Sequence, residues 1–314
     1  MDVSTFTTYR QSLNTPTGEI AYTELGSGPV ALFVHGLGTS GVLWRHVVED
    51  LRDTSRCIAI DLPLHGGTPG RADLSVTALA QVVADLADGL GLTDVDLVGN
   101  DTGGAVAQVF AARHPERIRS LTLTNCDCEG NFPPAEFAPM VELARQGGLA
   151  PGLAAIAADS AAWPTSPLGA GYEHPERVPD EVWRSYVTVL GETPELAREF
   201  ERMIAALVPS EMEAISEPLR ALNAPTLLVW GTGDPMFGIK WAHHLRDIIP
   251  GAHEIVEVDG AKLLFPEERP GDLIPHLRKF WSRLFAGSVL RPVFSLAMDG
   301  IGVAGATGRP FPRR

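Results

Sequence analysis

Residues 97–108 constrain this chain more than any other stretch. Leu97-Val98-Gly99-Asn100-Asp101-Thr102-Gly103-Gly104, followed by Ala105-Val106-Ala107-Gln108, reads as an apolar strand, a tight turn flanked by glycines, and the first turn of a helix. A strand that reverses this sharply into a helix thrusts the residue at its tip out over the end of a sheet, with glycines giving the backbone room. The tip residue is Asp101. A serine in that place performs acyl transfer on a carbonyl carbon. A carboxylate favours displacement at saturated carbon, as in epoxide opening or dehalogenation, through an aspartyl ester.

The surrounding pattern supplies the sheet. Two strands are expected over residues 8–13 and 19–25, joined by a turn containing Pro16 and Gly18. A continuous apolar run at 30–34 suits a strand buried on both faces of a parallel sheet, and further strands are expected at 57–62, 95–98 and 118–124. Helices are predicted between them, at 42–51 and after Ser75, where Val76, Leu79, Val82, Val83, Leu86 and Leu90 repeat at helical spacing. Alternating strands and helices define an α/β chain with a mostly parallel, doubly wound sheet. Ligands in such sheets bind beyond the carboxyl ends of the strands. His35, His65, Asp101 and Asn125 all fall there.

The rhythm breaks after residue 126. Residues 127–222 read as helical and Pro/Gly-punctuated, and alternation resumes with a strand near 225–230, a helix at 239–249, a strand at 253–258 and a closing helix at 270–284. The expected organisation is therefore a core in two parts, 1–126 and 223–285, a helical cap at 127–222, and a C-terminal extension at 286–314 with four arginines and one aspartate. The cap aromatics Trp163, Tyr172, Trp183 and Tyr186 are candidates for the pocket wall.

Composition narrows the partners. A net charge of −14 argues against nucleic acid or an acidic membrane surface, which need a basic face. No apolar run reaches membrane-spanning length. The first residues lack the basic and apolar regions of a secretory signal. Cys57, Cys126 and Cys128 form neither a disulfide framework nor a metal site, so a reducing cytoplasm is the expected location. The glycines around the turn do not form a dinucleotide fingerprint, and no phosphate-loop lysine is present. Neither metal nor organic cofactor is expected, and the predicted partner is a small, mainly apolar substrate.

His35-Gly36 after a strand, Asp61-Leu62-Pro63-x-His65-Gly66, Gly99-x-Asp101-x-Gly103 and Trp230-Gly231-x-x-Asp234 occur in the order found in the α/β-hydrolase superfamily. Over residues 8–285 the chain resembles its aspartate-nucleophile branch, which includes epoxide hydrolases, haloalkane dehalogenases and fluoroacetate dehalogenases. The resemblance implies an α/β-hydrolase fold with an inserted helical cap, Asp101 as nucleophile, an oxyanion hole from the backbone N–H groups of Leu37 and Thr102, and Asp234 as the acid that orients a histidine. Asp127 is a second candidate for that acid. His35 and His65 are expected to brace the loop beside the turn.

The histidine itself is missing. The family's Gly-x-Gly-His segment, followed by an acidic-x-Pro pattern, here reads Gly260-Ala261-Lys262-Leu263 and then Glu267-Glu268-Arg269-Pro270, which places Leu263 in the histidine position. Without that base an aspartyl ester is slow to hydrolyse. An apolar neighbour also raises a carboxyl pKa by desolvation, so Asp101 could instead carry protons. Specificity motifs differ too. Thr102 stands where dehalogenases carry a halide-binding tryptophan, no arginine occurs over 103–112, and Gly38 replaces the epoxide hydrolases' proline. Tyr172 and Tyr186 are the candidates for protonating an epoxide oxygen. Three functions follow: a covalent hydrolase acting through Asp101, a non-hydrolytic isomerase, lyase or cyclase using Asp101 as acid/base, and a binding protein that has kept the pocket.

Overall fold

The buried apolar runs form the middle of one sheet in the computed structural model, which describes residues 1–289. The chain opens with a short helix, α1 (Val3–Thr7), started by Asp2, whose side chain accepts from the Thr5 amide. This helix displaces the first predicted strand, so that β1 is Arg10–Thr15 and pairs with β2 (Gly18–Leu25). There follow β3 (Val30–Val34), α2 (Arg45–Leu51), β4 (Arg56–Ile60), α3 (Val76–Gly89), β5 (Val95–Asp101), α4 (Thr102–Arg113) and β6 (Ile118–Cys126). Ser75 caps α3 through the Ala78 amide, and Val76, Leu79, Val82, Val83 and Leu86 are buried as their spacing requires. Leu90 is the C-cap, half-buried.

Between β6 and β7 (Thr226–Gly231) the chain is helical, with α5 (Ala138–Arg145), α6 (Ala150–Ala158), α7 (Asp180–Gly191), α8 (Pro194–Ala205), α9 (Ser210–Glu213) and α10 (Ser216–Arg220). Then come α11 (Lys240–Ile248), β8 (Ala252–Val258), α12 (Phe265–Glu268) and α13 (Ile274–Val289). The closing helix starts later than its sequence pattern predicts, because residues 270–272 form a separate 3-10 turn. It also continues past residue 284, into the range expected to be extension. The remainder of that range, 290–314, lies outside the described residues.

The strands lie in the order β1-β2-β4-β3-β5-β6-β7-β8. β2 pairs antiparallel with β1 and β4, and the rest of the sheet is parallel. This is the α/β-hydrolase fold. Two registers position the site. Val34 lies opposite Gly99, which sets the loop after β3 against the tip of β5. On the other side Asn100 pairs with Thr124 but Asp101 pairs with Cys126, so Asn125 is one extra residue in β6. Its φ of 21° marks the bulge. Bulges re-aim the chain at strand ends, and this one leads directly into Asp127.

Candidate active site

Asp101 ends β5 and precedes α4 with φ 56° and ψ −136°, a conformation that L-residues rarely adopt. Close approach of the neighbouring backbone makes the turn possible. A Cβ on Gly103 would lie 2.3 Å from the His35 carbonyl oxygen, and one on Gly36 would lie 2.1 Å from Asp101 Oδ2. The Leu37 amide donates to Asp101 Oδ2 at 2.9 Å, and the Thr102 amide donates to the same carboxyl group. The two amides expected to form an oxyanion hole therefore hold the aspartate itself. Burial at the cavity floor pushes the Asp101 pKa up to about 7, against the lowering effect of those two amides, and the charge of Asp234 adds to the rise.

The amide of Leu37 is held in place by two buried histidines. His35 Nε2 accepts from the Leu62 amide at 2.9 Å and its Nδ1 faces the Gly36 carbonyl at 2.8 Å. His65 Nε2 accepts from the Gly38 amide at 3.1 Å, with Nδ1 2.9 Å from the Pro63 carbonyl. An Nε2 that accepts is unprotonated, so both rings are neutral, and burial lowers their pKa values to about 4 and about 3. His35, a candidate for the pocket, does not line it and braces the loop instead.

Asp234 also stays out of the cavity. Its Oδ1 accepts from the amides of Met236 (2.9 Å) and Phe237 (3.2 Å), and its Oδ2 from Asn125 Nδ2 (3.0 Å). Asn125 in turn bonds both backbone groups of Gly231, so it anchors the loop after β7 and does not contact substrate space. Leu263 does line the cavity, while its carbonyl accepts from Asn100 Nδ2 at 2.9 Å. None of the nine histidines lines it. An acid, histidine and nucleophile in series is absent from the cavity.

Asp127 takes the place beside Asp101. It is 2% exposed and lines the cavity. Its Oδ2 accepts from Thr102 Oγ1 at 2.9 Å, whereas Oδ1 has no hydrogen-bond partner among the described residues. Burial raises its pKa well above the ordinary carboxyl range, and the charge of Asp101 raises it further. A buried carboxyl group whose pKa is raised by a neighbour's charge resists ionising together with that neighbour. Asp101 has two amide donors and Asp127 has one hydroxyl donor, so Asp101 is the easier of the two to ionise.

The cavity over these groups has a volume of about 450 Å³. Leu37, Asp101, Thr102, Asp127 and Leu263 line its core end. The segment between β6 and β7 provides most of the opposite wall, including Phe137, Met140, Leu153, Leu190 and Phe200. Pro235, Met236 and Phe237 close it from the loop after β7. These wall residues carried no separate sequence signal, because a pocket-lining leucine and a core leucine follow the same helical spacing.

Four predicted wall residues lie elsewhere. Tyr172 and Tyr186 both donate their hydroxyls to Glu267 Oε2, and Glu267 forms a buried ion pair with Arg45. Trp183 packs between Tyr172 and Trp163, with ring centroids 5.5 and 6.5 Å away. None of the four lines the cavity. For the tyrosines the physical reason is that a buried phenol needs an acceptor, and Glu267 provides it away from the site.

The chain belongs to the alpha/beta hydrolase fold family, whose model matches residues 29–269. It is similar to Haloalkane dehalogenase 2 of Mycobacterium tuberculosis, 29% identical over 261 residues that cover 81% of this chain and 88% of the relative. It is also similar to Epoxide hydrolase 1 of Caenorhabditis elegans, 24% identical over 280 residues, covering 83% and 67%. In three dimensions it matches haloalkane dehalogenase DbeA from Bradyrhizobium elkani and epoxide hydrolase CorEH, with TM-scores of 0.74 and 0.73. Each is 22% identical and the match covers 88% of this chain and 99% of the other. No helix among the described residues is long and apolar enough to cross a membrane.

Proposed function

We propose that this chain is a hydrolase in which Asp101 attacks an electrophilic saturated carbon of a small, mainly apolar substrate, an epoxide, halide or activated ester. Residues 127–222 act as its cap. One observation carries the reading: a carboxyl group stands at the tip of the elbow, under an apolar cavity, with Oδ2 held by the Leu37 amide. Attack by the carboxylate produces an ester at the Asp101 carboxyl carbon. Water then adds to that carbon, and the developing oxyanion lies where the Leu37 and Thr102 amides already donate. The similarity to a haloalkane dehalogenase and an epoxide hydrolase supports the same class of chemistry.

Multiple turnovers in ¹⁸O-water test this reading. Label is expected in Asp101 as well as in product, and Asp101→Asn is expected to abolish turnover. Product that carries label while Asp101 carries none excludes the covalent cycle.

The absence of every histidine from the cavity favours a second reading, in which Asp101 moves a proton and the reaction is an isomerisation, elimination or cyclisation. Under this reading Asp101→Asn also loses turnover, but intact-protein mass spectrometry never detects an adduct on the wild type. A trapped adduct ends it.

A further inference from the structure

We infer that Asp127 completes the cycle, as proton donor to the oxygen of an epoxide and then as base for the hydrolytic water. This rests on the covalent reading of Asp101 and narrows its substrate class to apolar epoxides.

The geometry leaves Asp127 as the group able to do this work. It lines the same cavity as Asp101, and Thr102 connects the two through its amide to Asp101 and its hydroxyl to Asp127 Oδ2. Asp127 Oδ1 is buried without a partner among the described residues. A buried carboxylate oxygen left in that state is expensive, whereas a carboxylic acid O–H awaiting an acceptor suits a site designed to meet one. An epoxide oxygen is such an acceptor. Tyr172 and Tyr186, the other candidates for that proton, are committed to Glu267 outside the cavity.

Each step balances. Ionised Asp101 forms a bond to an epoxide carbon, the carbon–oxygen bond breaks, and the ring oxygen takes the proton of Asp127. The products are an Asp101 ester bearing a neighbouring hydroxyl and an ionised Asp127. Ionisation is easier at this stage, because the ester no longer carries the charge that opposed it. Asp127 then takes a proton from water as the water oxygen adds to the ester carbon. Collapse breaks the ester C–O bond, the departing alkoxide receives the proton held by Asp127, and the acid of Asp101 returns one proton to Asp127. The net reaction is epoxide plus water to diol. A halide offers no oxygen to protonate, so Asp127 must first lose its proton to solvent before it can serve as base.

The test uses the full chain, a panel of apolar terminal and internal epoxides, and 1-bromohexane as a probe that needs no acid. Wild type is expected to hydrolyse epoxides with ¹⁸O entering Asp101. Asp127→Asn is expected to lose about 10²–10⁴-fold in epoxide turnover and to accumulate a hexyl ester on Asp101, read by intact mass and peptide mapping. Asp127→Glu should recover part of the loss. If Asp127→Asn does not fold, Asp127→Glu and Thr102→Val carry the test, each expected to slow epoxide turnover by about tenfold or more. Unchanged epoxide turnover in the folded Asp127 variants, with label still entering Asp101, overturns the role of Asp127 alone. Turnover of the bromoalkane and of no epoxide overturns the substrate class. Absence of both label and adduct in wild type overturns the reading of Asp101 itself.

Discussion

Asp101 occupies a place that works against stability. Its backbone is in a rarely populated region, and burial lifts its pKa to about 7 from an ordinary value near 3.8. A carboxyl group with a raised folded pKa favours the folded state least when it must ionise. Below the unfolded value the group is protonated in both states and has no effect. As pH rises from there through about 7, the unfolded chain releases the proton more readily and folding loses stability. Asp101→Asn should therefore gain melting temperature over wild type progressively between about pH 4 and pH 7 and no further above that. Equal differences at pH 4 and pH 8 in thermal melts would contradict it. Under the covalent reading the ionised form is the one that attacks, so kcat/KM should climb with pH through a limb near 7. The neighbours set these properties. Leu263 offers no hydrogen bond at the cavity, and Gly36 leaves just enough space for the carboxyl group.

At the scale of elements, the helices between β6 and β7 do two separate things. One set of side chains, including Phe137, Leu153 and Phe200, faces the cavity. Another, including Tyr172 and Tyr186, fastens the segment to α12 through Glu267. The tyrosines are therefore structural, and Tyr172→Phe or Tyr186→Phe should each cost about 1–3 kcal/mol, as expected for a buried hydrogen bond to a charged acceptor. Denaturant unfolding measures that loss. With an epoxide substrate, kcat should change little in either variant. A large fall in kcat without a loss of stability would return the tyrosines to the chemistry. β6 makes the complementary point. Its extra residue, Asn125, joins the loop after β7 and passes the chain on to Asp127, so one irregularity serves two neighbours.

Across the whole molecule, Arg45 and Glu267 join distant parts of the chain. Arg45 begins α2, Glu267 lies in α12, both side chains are 5% exposed, and the two tyrosines arrive from the helical segment. Breaking a buried ion pair from one side leaves a charge without its counterpart, so Glu267→Gln should destabilise the fold by about 3–5 kcal/mol. A shift in the denaturation midpoint measures it, and an unchanged midpoint would show that solvent reaches Arg45.

The middle strands were legible because burial on both faces favours apolar runs, which β3 and β7 keep nearly unbroken and β5 keeps in Val95, Leu97 and Val98. Asp101 at the turn into α4 was legible for a similar reason, since that turn is written in the glycines a few residues away. The first helix carries no sequence signal, because five residues are too short to show a period. The partners of the polar side chains needed the folded chain. Tyr172 and Glu267 meet across 95 residues, and Asn125 and Asp234 across 109. Nothing in local spacing says which acceptor a buried hydroxyl will find. The sequence alone thus determined the fold and placed a carboxyl group at the turn from β5 into α4. Tertiary structure decided that Asp234 is saturated by its own loop together with Asn125, that the tyrosines are engaged elsewhere, and that Asp127 lines the same cavity as Asp101 with an oxygen unclaimed. The difference is physical: backbone periodicity is written in neighbouring residues, whereas hydrogen-bond partners are chosen by where distant strands end.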